Sequence, residues 1–256
     1  MTYALSLSGR TVLVTGASSG LGRRFARICA QAGAKVALAA RRTDRLQALT
    51  AEIVAAGGQA AAVAMDVLSE ASIEAGFDAA EAALGPVDTV IVNAGASKAG
   101  AAMTMPVEAF DEIVAVNLRG GFLTARAAGR RMQAAGVGEA GRGRVVLIAS
   151  IAASHPEPGL VAYCASKAGL AMVGRCLARE WAKRGINVNV VCPGYIETEI
   201  NSDWFATEAG QRQMNSFPRK RLMREEDLDA MIVYLASDAS RAVTGGVFTL
   251  DDGQFG

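Results

Sequence analysis

Thr11-Val12-Leu13-Val14-Thr15-Gly16-Ala17-Ser18-Ser19-Gly20-Leu21-Gly22 decides the fold. Its first five residues are β-branched or apolar, as in a strand covered on both faces, and the residues after Gly20 take a helical period. Glycines between a strand and a helix have a physical reading. Gly16 permits a tight turn, Gly20 lets the backbone approach a pyrophosphate, and Gly22 lets helix and strand pack closely. The helix start adds free N–H groups and a partial positive charge that suit an anion. Glycine is abundant here, with 28 residues, so the spacing by itself is a weak signal that the strand–turn–helix context strengthens.

Outward from that turn, apolar runs alternate with longer alanine-rich stretches. Strands are predicted at Thr11–Thr15, Lys35–Ala39, Ala60–Met65, Thr89–Val92, Arg144–Ala149, Asn187–Cys192 and Val247–Leu250. Helices are predicted near Gly20–Ala32, Thr43–Ala56, Glu70–Ala83, Val107–Ala135, Leu160–Arg184 and Glu225–Ser237. Strands separated by helices imply a parallel sheet, because each right-handed crossover lays its helix on a face. The expected fold class is a single doubly wound, Rossmann-type α/β domain over residues 1–256, with a seven-stranded parallel sheet flanked by helices. Two stretches break the rhythm. Gly136–Gly143 reads as a flexible connection, and the polar excursion from about 197 to 224 reads as a lid or substrate-binding segment.

Of the 256 residues 51% are apolar and 20% charged, which suits a folded core and excludes a disordered or fibrous chain. The net charge of +1, from 26 basic and 25 acidic residues, gives no reason to expect nucleic acid or an anionic membrane as partner. No apolar run is long enough for a transmembrane helix, and the N-terminus lacks the pattern of a signal peptide. The single histidine, His155, and the four scattered cysteines offer no metal-ligand spacing, so no metal is expected and a reduced, cytoplasmic chain is. A Ser-His-Asp hydrolase would have to rely on that one histidine. The basic run Arg219-Lys220-Arg221 reads as a solvated approach to the acidic Glu225, Glu226 and Asp227.

A dinucleotide reading calls for an acid at the end of the second strand to hold the ribose diol of NAD. The sequence there is Ala39-Ala40-Arg41-Arg42 instead, which suits the 2′-phosphate of NADP. Tyr163 and Lys167 lie four apart in Tyr163-Cys164-Ala165-Ser166-Lys167 and so share a helix face. A cation beside the ring is expected to lower the phenol pKa from about 10 and create a general acid/base. Ser150 lies at the end of a strand, where ligands collect in this architecture.

With Asn93-Ala94-Gly95, Asn117 and Pro193-Gly194-Tyr195-Ile196-Glu197-Thr198, these motifs fall in the order of one family, and the chain resembles the short-chain dehydrogenase/reductases over nearly its whole length. The resemblance implies that Asn117, Ser150, Tyr163 and Lys167 form a catalytic tetrad. By it Tyr163 exchanges a proton with the substrate oxygen, Ser150 hydrogen-bonds that oxygen, Lys167 holds the nicotinamide ribose, and Asn117 orders a water in the proton relay. It also implies cofactor contacts from Gly16, Ser18, Ser19, Gly20, Leu21, Gly22, Asp66, Val67, Asn93, Ala94, Gly95, Pro193, Gly194, Ile196 and Thr198. Ser19 stands where many NADP-dependent relatives carry a basic residue, so the phosphate depends on Arg41, Arg42 and Ser18.

The expected activity is therefore NADP-dependent interconversion of a secondary alcohol and a ketone, with NAD(H) the lesser cofactor. A 3-oxoacyl-carrier-protein reductase is the rival within the family, and a non-catalytic nucleotide-sensing or scaffold protein the rival outside enzymes. Ser150, His155, Tyr163, Tyr195 and Trp204 are candidate substrate contacts for a hydrophobic ketone, with Phe205, Met214 and Phe217 as further apolar candidates in the lid. The resemblance further implies a homotetramer packed through the helices Val107–Ala135 and Leu160–Arg184.

Overall fold

The computed structural model describes residues 5–197 and 202–255. Seven strands run β1 (Thr11–Thr15), β2 (Lys35–Ala40), β3 (Gln59–Ala64), β4 (Thr89–Val92), β5 (Gly143–Ile148), β6 (Ile186–Pro193) and β7 (Val247–Leu250). They form one sheet in the order β3-β2-β1-β4-β5-β6-β7, and every neighbouring pair is parallel. The helices are α1 (Gly20–Gln31), α2 (Thr43–Ala55), α3 (Glu70–Leu84), α4 (Val107–Val114), α5 (Gly121–Ala134), α6 (Val161–Trp181), α7 (Ser202–Ala206), α8 (Glu208–Ser216) and α9 (Asp229–Ala236). The expected Rossmann-type architecture is the one observed.

Alternation along the strands divides the core between the two faces. Val12 and Val14 of β1 pack with Phe25 of α1, Leu46 of α2 and Ile232 of α9. Leu13, between them, points the other way, into a cluster with Phe77 of α3, Leu123 of α5 and Leu170 of α6. Phe25 and Phe77 are fully buried, and burying each ring stabilises the fold by about 1.5–3 kcal/mol.

The long helix expected at Val107–Ala135 is continuous, but Ala115–Gly120 forms a π-helical segment between α4 and α5. Such widened turns recur at functional sites because they rotate a side chain off the regular spiral. Here the displaced stretch contains Asn117. The helix expected at Glu225–Ser237 opens with a 3₁₀ turn at Glu225–Leu228 before α9.

One loop expectation needs correction. Residues 136–143 form a bonded coil rather than a flexible connection: Gly141 N–H donates to the Gly138 carbonyl at 2.8 Å and Arg142 N–H to that of Val137 at 3.1 Å. Its position before β5 puts it at the N-terminal edge of the sheet, as expected. Arg219, Lys220 and Arg221 are exposed, as expected of a solvated run, and Arg219 and Arg221 pair with Asp252 at 2.9 and 2.8 Å.

The N-terminal edge is held by buried charge. Arg10, 1% exposed, donates to Asp88 at 3.3 Å and to the Arg142 carbonyl at 2.8 Å, and also pairs with Asp238. Asp88, 6% exposed, accepts in addition from Thr89 Oγ1 at 2.7 Å and from Arg142 at 3.4 Å. Burial, with the neighbouring Arg10 charge, pushes the Arg144 guanidinium down to about 10. Removing one member of a buried ion cluster strands the others. Asp88→Ala should therefore lower unfolding free energy by about 3–5 kcal/mol. Urea unfolding checks this, and a midpoint unchanged from the parent would contradict the role given to the cluster.

Candidate active site

All seven strands are parallel, so their C-terminal ends open on one edge of the sheet, and the candidate residues gather there. Strand order reverses between β1 and β4, leaving a crevice where crossovers depart to opposite sides. Thr15, at the end of β1, closes its floor. Its Oγ1 accepts from Asn93 N–H at 3.0 Å and Ala94 N–H at 3.1 Å, while Asn93 Nδ2 donates to the Thr15 carbonyl at 3.1 Å.

The glycine turn lies directly against that seam. Gly16 has φ +70°, and a Cβ there would come within 3.0 Å of Ala94 Cα and Asn93 Nδ2. A Cβ on Gly22 would overlap the Gly16 carbonyl oxygen, which accounts for the close helix–strand packing expected of it. Gly20 differs: it has φ +50°, and a Cβ would meet no protein atom within 4 Å. The turn thus presents bare backbone to open space at the start of α1, where Ser19 makes no side-chain cap. Ser18 is nearly buried, and Leu21 packs against the core from the first turn of α1. This cradle fits a dinucleotide pyrophosphate.

Arg42, not Arg41, reaches the turn. Its guanidinium donates to Ser18 Oγ at 2.9 Å and Ser19 Oγ at 2.7 Å, whereas Arg41 is exposed beside it. Among the described residues neither arginine pairs with a carboxylate. Asp66 follows β3, and its carboxylate accepts from Leu68 N–H at 3.0 Å. Val67 packs where a Cβ on Gly120 would come within 3.1 Å.

The expected tetrad comes together. Asn117, 1% exposed, is bonded both ways to Ala96: its Oδ1 accepts from Ala96 N–H at 2.8 Å and its Nδ2 donates to the carbonyl at 2.9 Å. Nδ2 also reaches Ser166 Oγ at 2.9 Å, and that hydroxyl donates to the Tyr163 carbonyl at 2.8 Å. Lys167 is buried and donates to the Ile148 carbonyl at 2.9 Å, with its Nζ 5.6 Å from the Tyr163 ring centroid. Ser150, just after β5, lies in hydrogen-bonding reach of the Tyr163 phenol and also accepts from Ala152 N–H at 3.2 Å. Gly95 adjoins both halves of the crevice: a Cβ there would stand 3.3 Å from Asn117 Oδ1 and 3.5 Å from Lys167 Nζ.

The electrostatics differ from the expectation drawn from Tyr-Lys spacing. Burial raises the Tyr163 phenol above its ordinary value, and the bond with Ser150 only partly opposes it. Burial likewise lowers the Lys167 ammonium to about 8. Spacing alone overlooked that the same wall of protein desolvates both groups.

At the substrate end Tyr195 carries an aromatic cluster. Its ring stacks on Phe217 with centroids 5.5 Å apart, meets Phe205 edge-on at 5.7 Å and lies 6.1 Å from Phe255. His155 lies 5.0 Å from Phe255, and its Nδ1 is 3.1 Å from Ser154 Oγ. Phe205 and Phe217 are buried, whereas Trp204 is half exposed and bonded to Gln213 at 3.2 Å. Burial, and after it Glu157, push the Tyr195 phenol above its ordinary value.

Pro193 ends β6. A Cβ on Gly194 would come within 2.7 Å of Asp251 Cα, so the C-terminal turn packs on this motif. Ile196 is buried and bridges to Met223. Thr198 lies outside the described residues. Sequence reasoning passed over Thr15, Ser166, Gln254 and Phe255. Ser166 stands inside the quoted motif, but its partner is 49 residues away.

The chain is similar to known proteins. The family model "short chain dehydrogenase" matches residues 10–209. This chain belongs to the short-chain dehydrogenase/reductase family. It is 35% identical over 251 residues to a D-threitol dehydrogenase of Mycolicibacterium smegmatis, covering 98% of this chain and 95% of that one. It is 38% identical over 254 residues to an L-rhamnose 1-dehydrogenase (NAD(P)+) of Azotobacter vinelandii, covering 97% and 98%. A crystal structure of a gluconate 5-dehydrogenase from Burkholderia cenocepacia, in complex with NADP and tartrate, superposes with a TM-score of 0.91 at 29% identity, covering 98% and 96%. The reaction class is NAD(P)-dependent oxidoreduction at a CH–OH group.

The cradle gives a direct test. Gly20→Ala puts a methyl into the space left for the pyrophosphate and should weaken NADPH binding at least about tenfold, while the left-handed backbone costs only about 1–2 kcal/mol of stability. Fluorescence titration alongside thermal melting separates the two, and unchanged binding by a folded variant would move the pyrophosphate elsewhere.

Proposed function

We propose that the chain interconverts a secondary alcohol and a ketone with NADP(H) as its preferred cofactor, using Asn117, Ser150, Tyr163 and Lys167 as its catalytic machinery. The convergence of those four side chains beside the glycine cradle carries this reading. It also weighs against a nucleotide-sensing scaffold, which has no use for a desolvated Tyr-Lys pair.

The nicotinamide supplies hydride chemistry when bound. In the reducing direction charge develops on the carbonyl oxygen and needs a positioned donor. Tyr163 donates its phenolic proton there, and Ser150 donates a second hydrogen bond. Lys167, with its pKa of about 8, is mainly charged at neutral pH and stabilises the phenolate as it forms. Asn117 fixes the loop after β4 to α6 through Ala96 and Ser166, so the substrate oxygen meets donors already in place. Because the phenol is raised, the acid form dominates at neutral pH in the empty site. Alcohol oxidation, which needs the base form, should therefore climb with pH until Lys167 loses its proton.

NADP(H) preference rests on Arg42, whose two serine partners hold an otherwise unneutralised guanidinium over the turn. Phosphate can be clamped there bidentately. The free cysteines, of which Cys29 and Cys192 are buried, suit a reducing, cytoplasmic compartment. No described helix is long and apolar enough to cross a membrane. A single catalytic domain with residues 197–224 as its lid completes the reading.

Exposed apolar side chains on α4–α5 (Val107, Phe110, Phe122) and α6 (Val161, Met172) support the homotetramer, with these helices packed on their symmetry mates.

Three measurements follow. Tyr163→Phe should lower turnover by about 10²–10⁴-fold with cofactor affinity largely kept; near-normal turnover would remove Tyr163 from the chemistry. Arg42→Ala should lower kcat/KM with NADP(H) by about 10- to 100-fold and leave NAD(H) nearly unchanged; equal losses would deny it the phosphate. Light scattering should give four times the chain mass, and monomer alone at working concentration would overturn the assembly.

A further inference from the structure

The turn after β7 is bound to the loop that leaves β6. Gly194 N–H donates to the Leu250 carbonyl at 2.8 Å, which runs the backbone after β6 along residues 251–255. Within that turn the Asp251 carboxylate accepts from Gly253 N–H and Phe255 N–H, each at 3.1 Å, and Gln254 N–H donates to the Asp251 carbonyl at 2.9 Å. So held, Gln254 is 7% exposed and meets Tyr195 twice. Its Oε1 accepts from Tyr195 N–H at 2.6 Å, and its Nε2 donates to the Tyr195 carbonyl at 3.1 Å. The amide comes this close only because residue 194 is glycine, since a Cβ there would overlap Gln254 Oε1.

That clasp acts beside the chemistry. The β5–β6 ladder pairs Ile148 with Val191, and Ala149 N–H donates to the Val191 carbonyl at 2.8 Å. Ser150 and Pro193 therefore leave adjacent strand ends, which in a sheet are about 4.8 Å apart. The same turn touches the loop that carries Ser150, because the Phe255 ring lies 5.0 Å from His155 as well as 6.1 Å from Tyr195. Without the Gln254 amide, Tyr195 N–H loses its acceptor, whereas the Tyr195 carbonyl keeps Met223 N–H at 3.0 Å. A backbone donor left unpaired favours rearrangement of its loop. Displacing a reacting group by about 1 Å can cost about a hundredfold in rate.

We propose that Gln254 is a positioning residue: by clasping Tyr195 it fixes the loop after β6 against the loop that carries Ser150, and so sets where the substrate rests relative to Ser150 and Tyr163. Gln254 acts through Tyr195 and Gly194 rather than on the reacting atoms. Its role rests on the alcohol–ketone activity proposed for the same site.

The parent protein, Gln254→Met and Gln254→Glu are compared in NADPH-dependent reduction of ketoses, 2-alkanones and a 3-oxoacyl thioester, with the ketone that the parent reduces fastest used throughout. Gln254→Met keeps the length of the side chain and loses both bonds. In it kcat should fall and substrate KM rise, lowering kcat/KM by about 10- to 100-fold, while NADPH affinity by fluorescence titration changes less than about threefold, because the cradle and Arg42 are untouched. Gln254→Glu keeps the acceptor but can donate to the Tyr195 carbonyl only when protonated. Burial raises a carboxyl group, so kcat of this variant divided by that of the parent should rise about threefold or more as pH falls from about 8 to about 6. The charged and titratable groups around the turn, Asp251, Asp252, Arg219, Arg221, His155 and Tyr195, are common to both proteins, as are Tyr163 and Lys167, and the division removes their titration. Kinetic constants of Gln254→Met equal to those of the parent, with any loss confined to thermal stability, overturn the positioning role, and so does a pH-independent ratio for Gln254→Glu. Should Gln254→Met fail to fold, the Gln254→Glu ratio decides. If the positioning role falls while turnover still depends on Tyr163, the alcohol–ketone reading stands. Absence of turnover by the parent in all three classes overturns both.

Discussion

The reversal of strand order between β1 and β4 is the constraint on which the site depends. Crossovers leave these two neighbours toward opposite ends of the sheet, so no connection covers the gap between their C-terminal ends. A gap of this kind would splay without a seam. The reciprocal bonds between Thr15 and the Asn93-Ala94 backbone supply it, and they set the glycine turn against the loop after β4. The seam thus fixes where the bare backbone at Gly20 and the start of α1 lie relative to the loop after β4.

The second half of the site is carried by one interrupted helix. A regular α-helix through residues 107–134 would point Asn117 along the same spiral as its neighbours. The π segment at Ala115–Gly120 breaks that spiral, and Asn117 reaches Ala96 on one side and Ser166 on the other. Three segments far apart in the chain are fixed relative to one another by a single amide. Lys167 is anchored separately, on the carbonyl that ends β5. Tyr163 and Lys167 are therefore both held by hydrogen bonds to neighbouring segments, which suits chemistry that tolerates little misplacement.

The aromatic cluster around Tyr195 is assembled from the C-terminal half. Phe255 and Gln254 come from the last turn of the described chain, Tyr195 from the loop after β6, and Phe205, Gln213 and Phe217 from the excursion around α7 and α8. Asp252 secures this arrangement by pairing with Arg219 and Arg221. The resulting wall is aromatic. The sequence offered Tyr195, Phe205 and Phe217 as candidates, but nothing local to them foretold that Gln254 and Phe255 would join them.

Asn117 entered only through the family resemblance, whereas the sequence by itself determined the alternation of strands and helices, the parallel sheet, the glycine cradle and Tyr163, Lys167 and Ser150 as candidates. These follow from local periodicity, from the special backbone of glycine and from motifs of short span, and all are properties of a few neighbouring residues. Tertiary structure decided which arginine reaches the turn, because Arg41 and Arg42 are equivalent until Ser18 and Ser19 are placed beside one of them. It decided the sign of the Tyr163 shift, since spacing along a helix registers the neighbouring cation but not the burial that opposes it. It also decided the wall of the pocket, where His155, Tyr195 and Phe255 meet although up to 100 residues part them in the chain. Contacts at that separation depend on how the crossovers stack the layers, and no periodicity in the chain records it.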